Sequence, residues 1–169
     1  MPHAALLALW GLAAICAGVA NWVVATVTGR PTDVLHHFLG CFLRSFTRVS
    51  AYGHLLADPF PSFSLLQGYA VDLQTPPPER QPRLAIAFRP LLALPALVLA
   101  SVFGFLLELV ALAAWLVCLL LGRIPLGMQD LGLYCLRYAA ETGAYVFLVS
   151  GRYPSLSWAR AEPAPTSAA

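Results

Sequence analysis

Residues 22–64 read WVVATVTGRPTDVLHHFLGCFLRSFTRVSAYGHLLADPFPSFS, and residues 115–157 repeat them in outline as WLVCLLLGRIPLGMQDLGLYCLRYAAETGAYVFLVSGRYPSLS. The two stretches align without a gap at an offset of 93 residues, and 12 of the 43 aligned positions are identical. The identical pairs include Trp22/Trp115, Gly29/Gly122, Arg30/Arg123, Arg44/Arg137, Tyr52/Tyr145 and Pro61/Pro154. Because glycine, arginine, tyrosine and proline recur in register, the sequence predicts one supersecondary unit used twice.

The composition indicates an integral membrane protein. Of the 169 residues, 59% are apolar and 11% are charged, and the mean hydropathy is +0.73, whereas about 25% of residues are charged in soluble domains. Two apolar spans, residues 4–28 and 91–121, carry a single ionisable residue between them, Glu108. About 20 apolar residues cross a bilayer, so both spans are long enough. The net charge of +2 is too small to suggest nucleic-acid binding.

The chain is predicted to be an all-α bundle of two tandem helical hairpins, four helices in total. Each unit consists of an apolar helix, a Gly-Arg turn close to a proline, and a second helix. We assign residues 1–66 to the first hairpin, 67–89 to a surface linker, 90–157 to the second hairpin and 158–169 to a disordered tail. Within the linker, residues 69–74 alternate like a strand, which leaves room for a small β-hairpin. The first apolar run has no positive leader, so we expect a retained helix rather than a signal peptide.

The second helix of each unit is predicted to be amphipathic. In residues 34–56, one face carries His37, Gly40, Cys41, Arg44, Ser45 and Arg48, with the 3.6-residue period of a helix. In residues 126–150, a weaker stripe of Asp130, Arg137, Glu141 and Tyr145 has the spacing of His37, Arg44, Arg48 and Tyr52. One face of each helix is therefore suited to lipid and the other to protein or water.

The ionisable residues of these helices are predicted to pair inside the membrane. Arg44 lies about eleven residues into its helix, roughly 16 Å deep, where exposure to lipid costs about 2.5–3.5 kcal/mol. The same cost of exposure to lipid applies to four further residues, Arg48, Arg137, Glu141 and Glu108. We expect the two units to be related by a two-fold axis along the membrane normal, which predicts an Arg48–Glu141 ion pair. Arg137 is also within reach of Glu141 at i,i+4.

This polar stripe has two interpretations. It could line an ion or proton path, since ionisable residues within a membrane often have functional roles. It could instead hold the helices in register, which we prefer because arginine does not shuttle protons at ordinary pH. Arg30 and Arg123, in the two Gly-Arg turns, are expected to face lipid headgroups.

Four crossings place both termini and the linker on one side of the membrane. That side then carries Arg80, Arg83, Arg89, Arg152 and Arg160, and the other carries Arg30 and Arg123. The excess of arginine predicts that the termini and the linker are cytoplasmic. The alternative is that each second helix lies flat in the interface, which leaves two crossings.

The sequence predicts no metal, no cofactor and no catalytic site. His36 and His37 point to different faces of their helix, and His54 lies about 25 Å further along it. The cysteines, Cys16, Cys41, Cys118 and Cys135, form no C-x-x-C pair and are expected to be buried free thiols. Phosphate-loop, nucleophile-elbow and zinc-protease motifs are also missing from the sequence.

The motifs of the two units resemble those of a known family. They are Thr28-Gly29-Arg30-Pro31, Leu43-Arg44, Ala51-Tyr52 and Pro59-Phe60-Pro61, then Gly122-Arg123, Leu136-Arg137, Ala144-Tyr145 and Arg152-Tyr153-Pro154. The pattern resembles an uncharacterised family of bacterial membrane proteins, common in actinobacteria, whose members read approximately TGRYP, LR, AY and YPPF. This chain departs from the pattern at Ile124. The resemblance implies a multi-pass protein of the bacterial inner membrane and implies no activity.

The function expected from the sequence is that of a small integral membrane protein, a non-catalytic accessory or assembly subunit of a larger membrane complex. Its partners are expected to be lipid and other membrane subunits, or further copies of itself. The main alternative is a small transporter or channel that uses the duplicated stripe. A membrane enzyme acting on lipids is a third possibility. The sequence does not specify the partner, a substrate or the oligomeric state.

Overall fold

The computed structural model describes residues 2–56, 82–122 and 125–156, and this part of the chain is all-helical. Its five helices are α1 (Pro2–Thr28), α2 (Asp33–Gly53), α3 (Arg83–Ala87), α4 (Arg89–Leu121) and α5 (Leu126–Val146). Four helices were predicted. The difference is α3, a short helix within the segment predicted to be a surface linker, which begins after Pro82. The predicted β-hairpin and the predicted disordered tail lie outside the described residues.

The two long apolar helices end in the same way. Gly29 and Gly122 adopt left-handed backbone conformations, with φ of 76° and 69°, and such angles are easily accessible to glycine. Their N–H groups donate to Ala25 O (2.7 Å) and Cys118 O (2.8 Å), respectively. Each glycine therefore terminates its helix and turns the chain toward the second helix of its unit.

The second helices also correspond residue for residue. We call residues 93 positions apart counterparts, following the sequence alignment. Helices α2 and α5 each have 21 residues, and both their first and last residues are counterparts. Beyond their ends, the counterparts Leu55 and Leu148 have φ of 59° and 58°, in the left-handed region that leucine seldom adopts.

The core consists mainly of two clusters that each draw on both halves of the chain. The first core contains Ala14, Leu39, Phe42, Leu43, Ala144 and Val149. The second core contains Ala51, Leu107, Cys135 and Leu136, with Leu56, Phe103, Leu106 and Leu131 packed against them. In the first core, α1 and α2 enclose residues from the end of α5. In the second core, α4 and α5 enclose residues from the end of α2. Apolar burial therefore holds the two halves together.

Helices α2 and α5 run antiparallel. The His36 side chain, near the start of α2, lies 3.1 Å from Val149 O beyond the end of α5. Leu56, beyond the end of α2, packs on Gly132 near the start of α5. The two halves were predicted to share one orientation about an axis along the membrane normal. If both second helices crossed the membrane, that axis would make α2 and α5 parallel, whereas an antiparallel pair requires a two-fold axis across the helices.

Leu56 and Arg89 lie at opposite ends of α5. Leu56 lies near the start of α5, whereas Arg89 donates to Ser150 O (2.6 Å) just beyond the end of α5.

Two helices of the described residues are long and apolar enough to cross a membrane, where four crossings were predicted. They are Leu9–Thr28 within α1 and Arg89–Leu121, the whole of α4. Large apolar side chains remain exposed along both: Leu9, Leu12, Ile15, Val19 and Val27, and Leu97, Val98, Val102, Phe105, Leu112 and Leu119. Helices α2 and α5 lie between them and bury more of their surface.

Candidate functional site: polar contacts between the helices

Asn21 connects three segments of the chain. Its side chain is fully buried on α1. Nδ2 donates to Phe147 O beyond α5 (3.3 Å), and Oδ1 accepts from the N–H of Thr32, which precedes α2 (3.2 Å). A buried amide is costly unless it is hydrogen-bonded, so these two bonds fix the position of the α5 end against the α1–α2 turn. The sequence analysis did not select Asn21, although it is the one amide side chain in the first apolar span.

His36 makes a second contact at the same end. The side chain is buried, and its Nε2 lies 3.1 Å from Val149 O. Because a carbonyl oxygen can only accept, Nε2 carries the proton in this contact. His36 is thus a structural link between α2 and the segment after α5.

Arg89, the first residue of α4, is buried, with 3% of its surface exposed. Its guanidinium donates to Ser150 O and lies 4.2 Å from the centre of the Tyr145 ring, in a cation–π contact. The sequence analysis had assigned Arg89 to the exposed linker. The structure buries it against Tyr145 and the segment that follows α5.

Glu141 has partners within its own half. Its Oε1 accepts from Arg137 Nε (2.8 Å), as the i,i+4 spacing predicted, and its Oε2 accepts from the Ser155 N–H (3.0 Å). Glu141 was also predicted to pair with Arg48, and that pair is not among the ion pairs of the described residues. Arg48 is buried in α2 and Arg44 is half-buried, and both have interaction partners.

Glu108 and His54 form a contact on the outer side of α4. The Glu108 side chain is 72% exposed, and its Oε1 lies 3.3 Å from His54 Nε2. His54 Nδ1 lies 2.6 Å from Ser50 O and therefore donates its proton there. The contact with Glu108 then requires one further proton, carried either by Nε2 as imidazolium or by the carboxyl group. Glu108 was predicted to face inward, whereas the structure places it on the outer surface.

The predicted headgroup-facing arginines are described in part. Arg30 is exposed and its Nη2 lies 3.0 Å from Asp33 Oδ1, in an ion pair across the α1–α2 turn. Arg123 lies outside the described residues.

In the described part of the chain, no group of three or more His, Cys, Asp or Glu side chains could hold a metal ion. The four cysteines are free thiols, but Cys135 alone is buried, and Cys16 is exposed on α1, contrary to prediction.

A cleft of about 340 Å³ lies between α1 and the start of α4, and it is open on one side. Its lining residues are Ile15, Gly18, Val19, Trp22, Arg89, Pro90, Ala93, Val146 and Phe147. The walls are apolar except at Arg89. Phe147 approaches Gly18 so closely that a methyl group there would stand 2.6 Å from the ring, so glycine is needed at this contact.

Comparison with known proteins identifies one part of the chain. A domain of unknown function, DUF4389, is found at residues 83–157. The DUF4389 domain begins at the first residue of α3 and includes α4, α5 and the segment that follows α5. It therefore contains the contacts of Arg89 and Glu141, whereas Asn21, His36 and His54 bind to it from outside. No curated protein and no solved structure matches the chain.

Proposed function

We propose that this protein is a membrane-embedded, non-catalytic accessory or assembly subunit, built from two copies of one helical unit, whose partners are other membrane proteins. In this proposal α1 and α4 each cross the membrane. Helices α2 and α5 pack against each other and connect α1 with α4. Their polar residues hold the two units together.

Duplication is supported by geometry that recurs at the 93-residue offset. The left-handed glycines, the left-handed leucines and both ends of α2 and α5 are counterparts. So are the bonds that close the second helices, from Leu56 N to Ala51 O (2.8 Å) and from Val149 N to Ala144 O (2.9 Å). Two unrelated hairpins have no physical reason to share such details.

The observation that carries the proposal is the use of the polar groups. Asn21 and His36 bind carbonyl groups across the unit boundary, and Arg89 and Glu141 bind backbone groups of the segment after α5. Groups engaged in this way hold helices in register and do not move with a transported ion. They favour an assembly role over a transport path.

The outer faces of α1 and α4 support a role in binding lipid and membrane partners. The backbones of these helices contact α2, α3 and α5 rather than each other. Each helix thus presents a long apolar surface on the outside of the bundle. Surfaces of this size suit either lipid or the helices of another membrane protein.

Co-purification tests the assembly role. The tagged full-length protein is isolated from its native membrane in mild detergent, and its companions are quantified by mass spectrometry. A larger membrane protein in fixed stoichiometry is expected. The control is Asn21→Leu, which disturbs the unit boundary and should lose a specific partner while retaining proteins that adhere to exposed apolar surface. A lone protein that conducts ions in liposomes would contradict the proposal and favour the transporter alternative.

Cysteine labelling tests the two crossings. In a background without the native cysteines, single cysteines replace Val19 in α1 and Leu112 in α4, or Val34 and Leu126. The latter two lie in the first turns of α2 and α5, just after the ends of α1 and α4, and are 76% and 78% exposed. A water-soluble maleimide is expected to label the second pair in membrane vesicles, from one side or the other, and to spare the first pair. Equal labelling of all four positions would show that α1 and α4 do not cross the membrane.

A further inference from the structure

We propose that His54 and Glu108 form a proton-binding site, which holds the end of α2 against α4 while the proton is bound and releases it when the proton is lost. Such a pH-dependent contact goes beyond the proposed assembly role. It does not depend on whether α4 crosses a membrane, because it follows from how the two side chains share protons.

The backbone of α2 determines which nitrogen of the His54 ring carries a proton. Ser50 O accepts from the His54 N–H (3.0 Å), and the ring Nδ1 lies 2.6 Å from the same oxygen. Because a carbonyl oxygen only accepts hydrogen bonds, Nδ1 is the protonated nitrogen. In a neutral imidazole the other nitrogen, Nε2, is then unprotonated and presents a lone pair.

This second nitrogen faces the Glu108 carboxyl group, with 3.3 Å between Nε2 and Oε1. An ionised carboxylate also presents only lone pairs, so it would repel a neutral imidazole at this distance. One additional proton converts the repulsion into a hydrogen bond, either between imidazolium and carboxylate or between imidazole and carboxylic acid. The contact therefore holds one proton more than the two separated groups carry at a pH above the titration of imidazole.

The other half of the chain has two apolar residues at the corresponding positions. The counterparts of His54 and Glu108 are Phe147 and Ile15, and both line the cleft between α1 and the start of α4. The backbone is alike at the two places, since the Phe147 N–H donates to Gly143 O (3.0 Å) as the His54 N–H donates to Ser50 O. The two halves thus differ here in side chains that titrate and side chains that do not.

The pair is the local source of ionic contact. Among the described residues, the ion pair of His54 is with Glu108 and that of Glu108 is with His54. The neighbouring helix α5 contributes Cys135 to the second core, and its Tyr134 hydroxyl donates to Leu156 O (3.0 Å). The other ionisable side chains of the surrounding helices are Arg48 and Tyr52 on α2, Cys118 on α4 and Asp130 on α5.

Loss of the proton is expected to loosen the last turn of α2. Ala51 and Leu56 pack in the second core, but between them the space beside Gly53 is open and Leu55 is 41% exposed. His54 provides this turn with its contact to α4. Without that contact, the hydrogen bonds that close the helix, including the one from Leu56 N–H to Ala51 O (2.8 Å), should open more often.

Hydrogen exchange measures this opening. The full-length protein in phosphatidylcholine nanodiscs is exchanged at about pH 5.5 and about pH 9, on either side of the ordinary histidine titration near about 6.5. Each exchange rate is divided by that of an unstructured chain at the same pH. Amides 54–56 are expected to lose protection by about fivefold at the higher pH, the upper range for one largely exposed ionic contact.

The internal control is the counterpart segment, amides 147–149. Their helix end is closed by the same pattern of hydrogen bonds, from Phe147 N–H to Gly143 O and from Val149 N–H to Ala144 O (2.9 Å). His36 also titrates nearby, but its Nε2 donates to Val149 O in the neutral and in the charged form. The protection of amides 147–149 should therefore be equal at the two pH values.

Two variants separate the need for a proton from the need for a contact. In Glu108→Gln, the new side-chain amide can donate to the unprotonated Nε2, so amides 54–56 should be protected equally well at both pH values. In Glu108→Leu, no hydrogen bond to His54 can form, and the protection of these amides should be low at both.

Equal protection of amides 54–56 at both pH values in the unmodified protein would overturn the proposal, and so would an equal loss at amides 147–149. A pH-dependent loss that persists in Glu108→Gln would also overturn it, because another group would then be responsible. High protection in Glu108→Leu would show that the contact does not hold the end of α2. If a variant does not fold, the comparison of the two segments in the unmodified protein still decides.

Discussion

Leu56 packs directly on Gly132: a methyl group added at Gly132 would stand 2.5 Å from Leu56 Cδ2. Their counterparts in the other half are Val149 and Leu39, which share the first core. The larger side chain therefore lies on the second helix in one core and on the segment beyond the helix in the other. Both cores are closely packed, but the large side chain of the pair is Leu39 in the first core and Leu56 in the second.

Gly132→Ala is expected to lower the free energy of unfolding by about 1–2 kcal/mol, because the added methyl overpacks the second core. Leu56→Val in the same chain should restore most of the loss by vacating that space. Unfolding is followed in mixed detergent micelles. The control is Gly104→Ala on α4, where nothing lies within 4 Å and the effect should be small. Equal losses for both variants would contradict the packing argument.

Asn21→Leu is expected to lower the free energy of unfolding by about 2–3 kcal/mol, since the buried carbonyl of Phe147 and N–H of Thr32 lose their partner. The same micelle titration measures the effect. Ser101→Ala is the control, because its hydroxyl donates within its own helix, to Val98 O (2.7 Å), and is exposed. A loss no larger than that of Ser101→Ala would show that the Asn21 bonds do not join the units.

The counterparts Leu55 and Leu148 share one backbone conformation and differ in burial. Substitution by glycine should therefore change the free energy of unfolding differently at the two positions. At Leu55, relief of strain offsets the loss of a partly exposed side chain, and a change of less than about 1 kcal/mol is expected. At Leu148, loss of a buried leucine should cost about 2–3 kcal/mol despite the same relief. Thermal unfolding of the two variants in detergent compares them. Equal effects would mean that burial does not distinguish the two positions.

The partners of Glu141 can be separated by charge exchange. Glu141→Arg with Arg137→Glu keeps opposite charges four residues apart and should recover part of the stability that either single change removes. Glu141→Arg with Arg48→Glu should give no recovery. Because the Arg137 and Glu141 side chains are 42% and 24% exposed, each single effect should stay near or below 1 kcal/mol. If the Arg48 exchange recovered stability, the Arg48–Glu141 ion pair predicted from the sequence would be supported instead.

Several features were readable from local chemistry. The two apolar spans, the Gly29 and Gly122 turns and the amphipathic second helices depend on residue type and spacing, and so does the Arg137–Glu141 pair. The short helix α3 was missed because its five residues are too few to show a period. Burial of Arg89 was missed because its acceptor, Ser150 O, is 61 residues away in the chain.

The sequence by itself determined the ends of the helices and their apolar faces, because these follow from contacts between near neighbours, and it predicts that one unit is used twice. The tertiary structure decided how the two units meet. Antiparallel packing of α2 and α5 brought Asn21 and His36 to the end of α5 and placed Glu108 on the outer surface. Sequence alignment gives correspondence between units but not their relative orientation, which depends on how distant side chains fill a shared core.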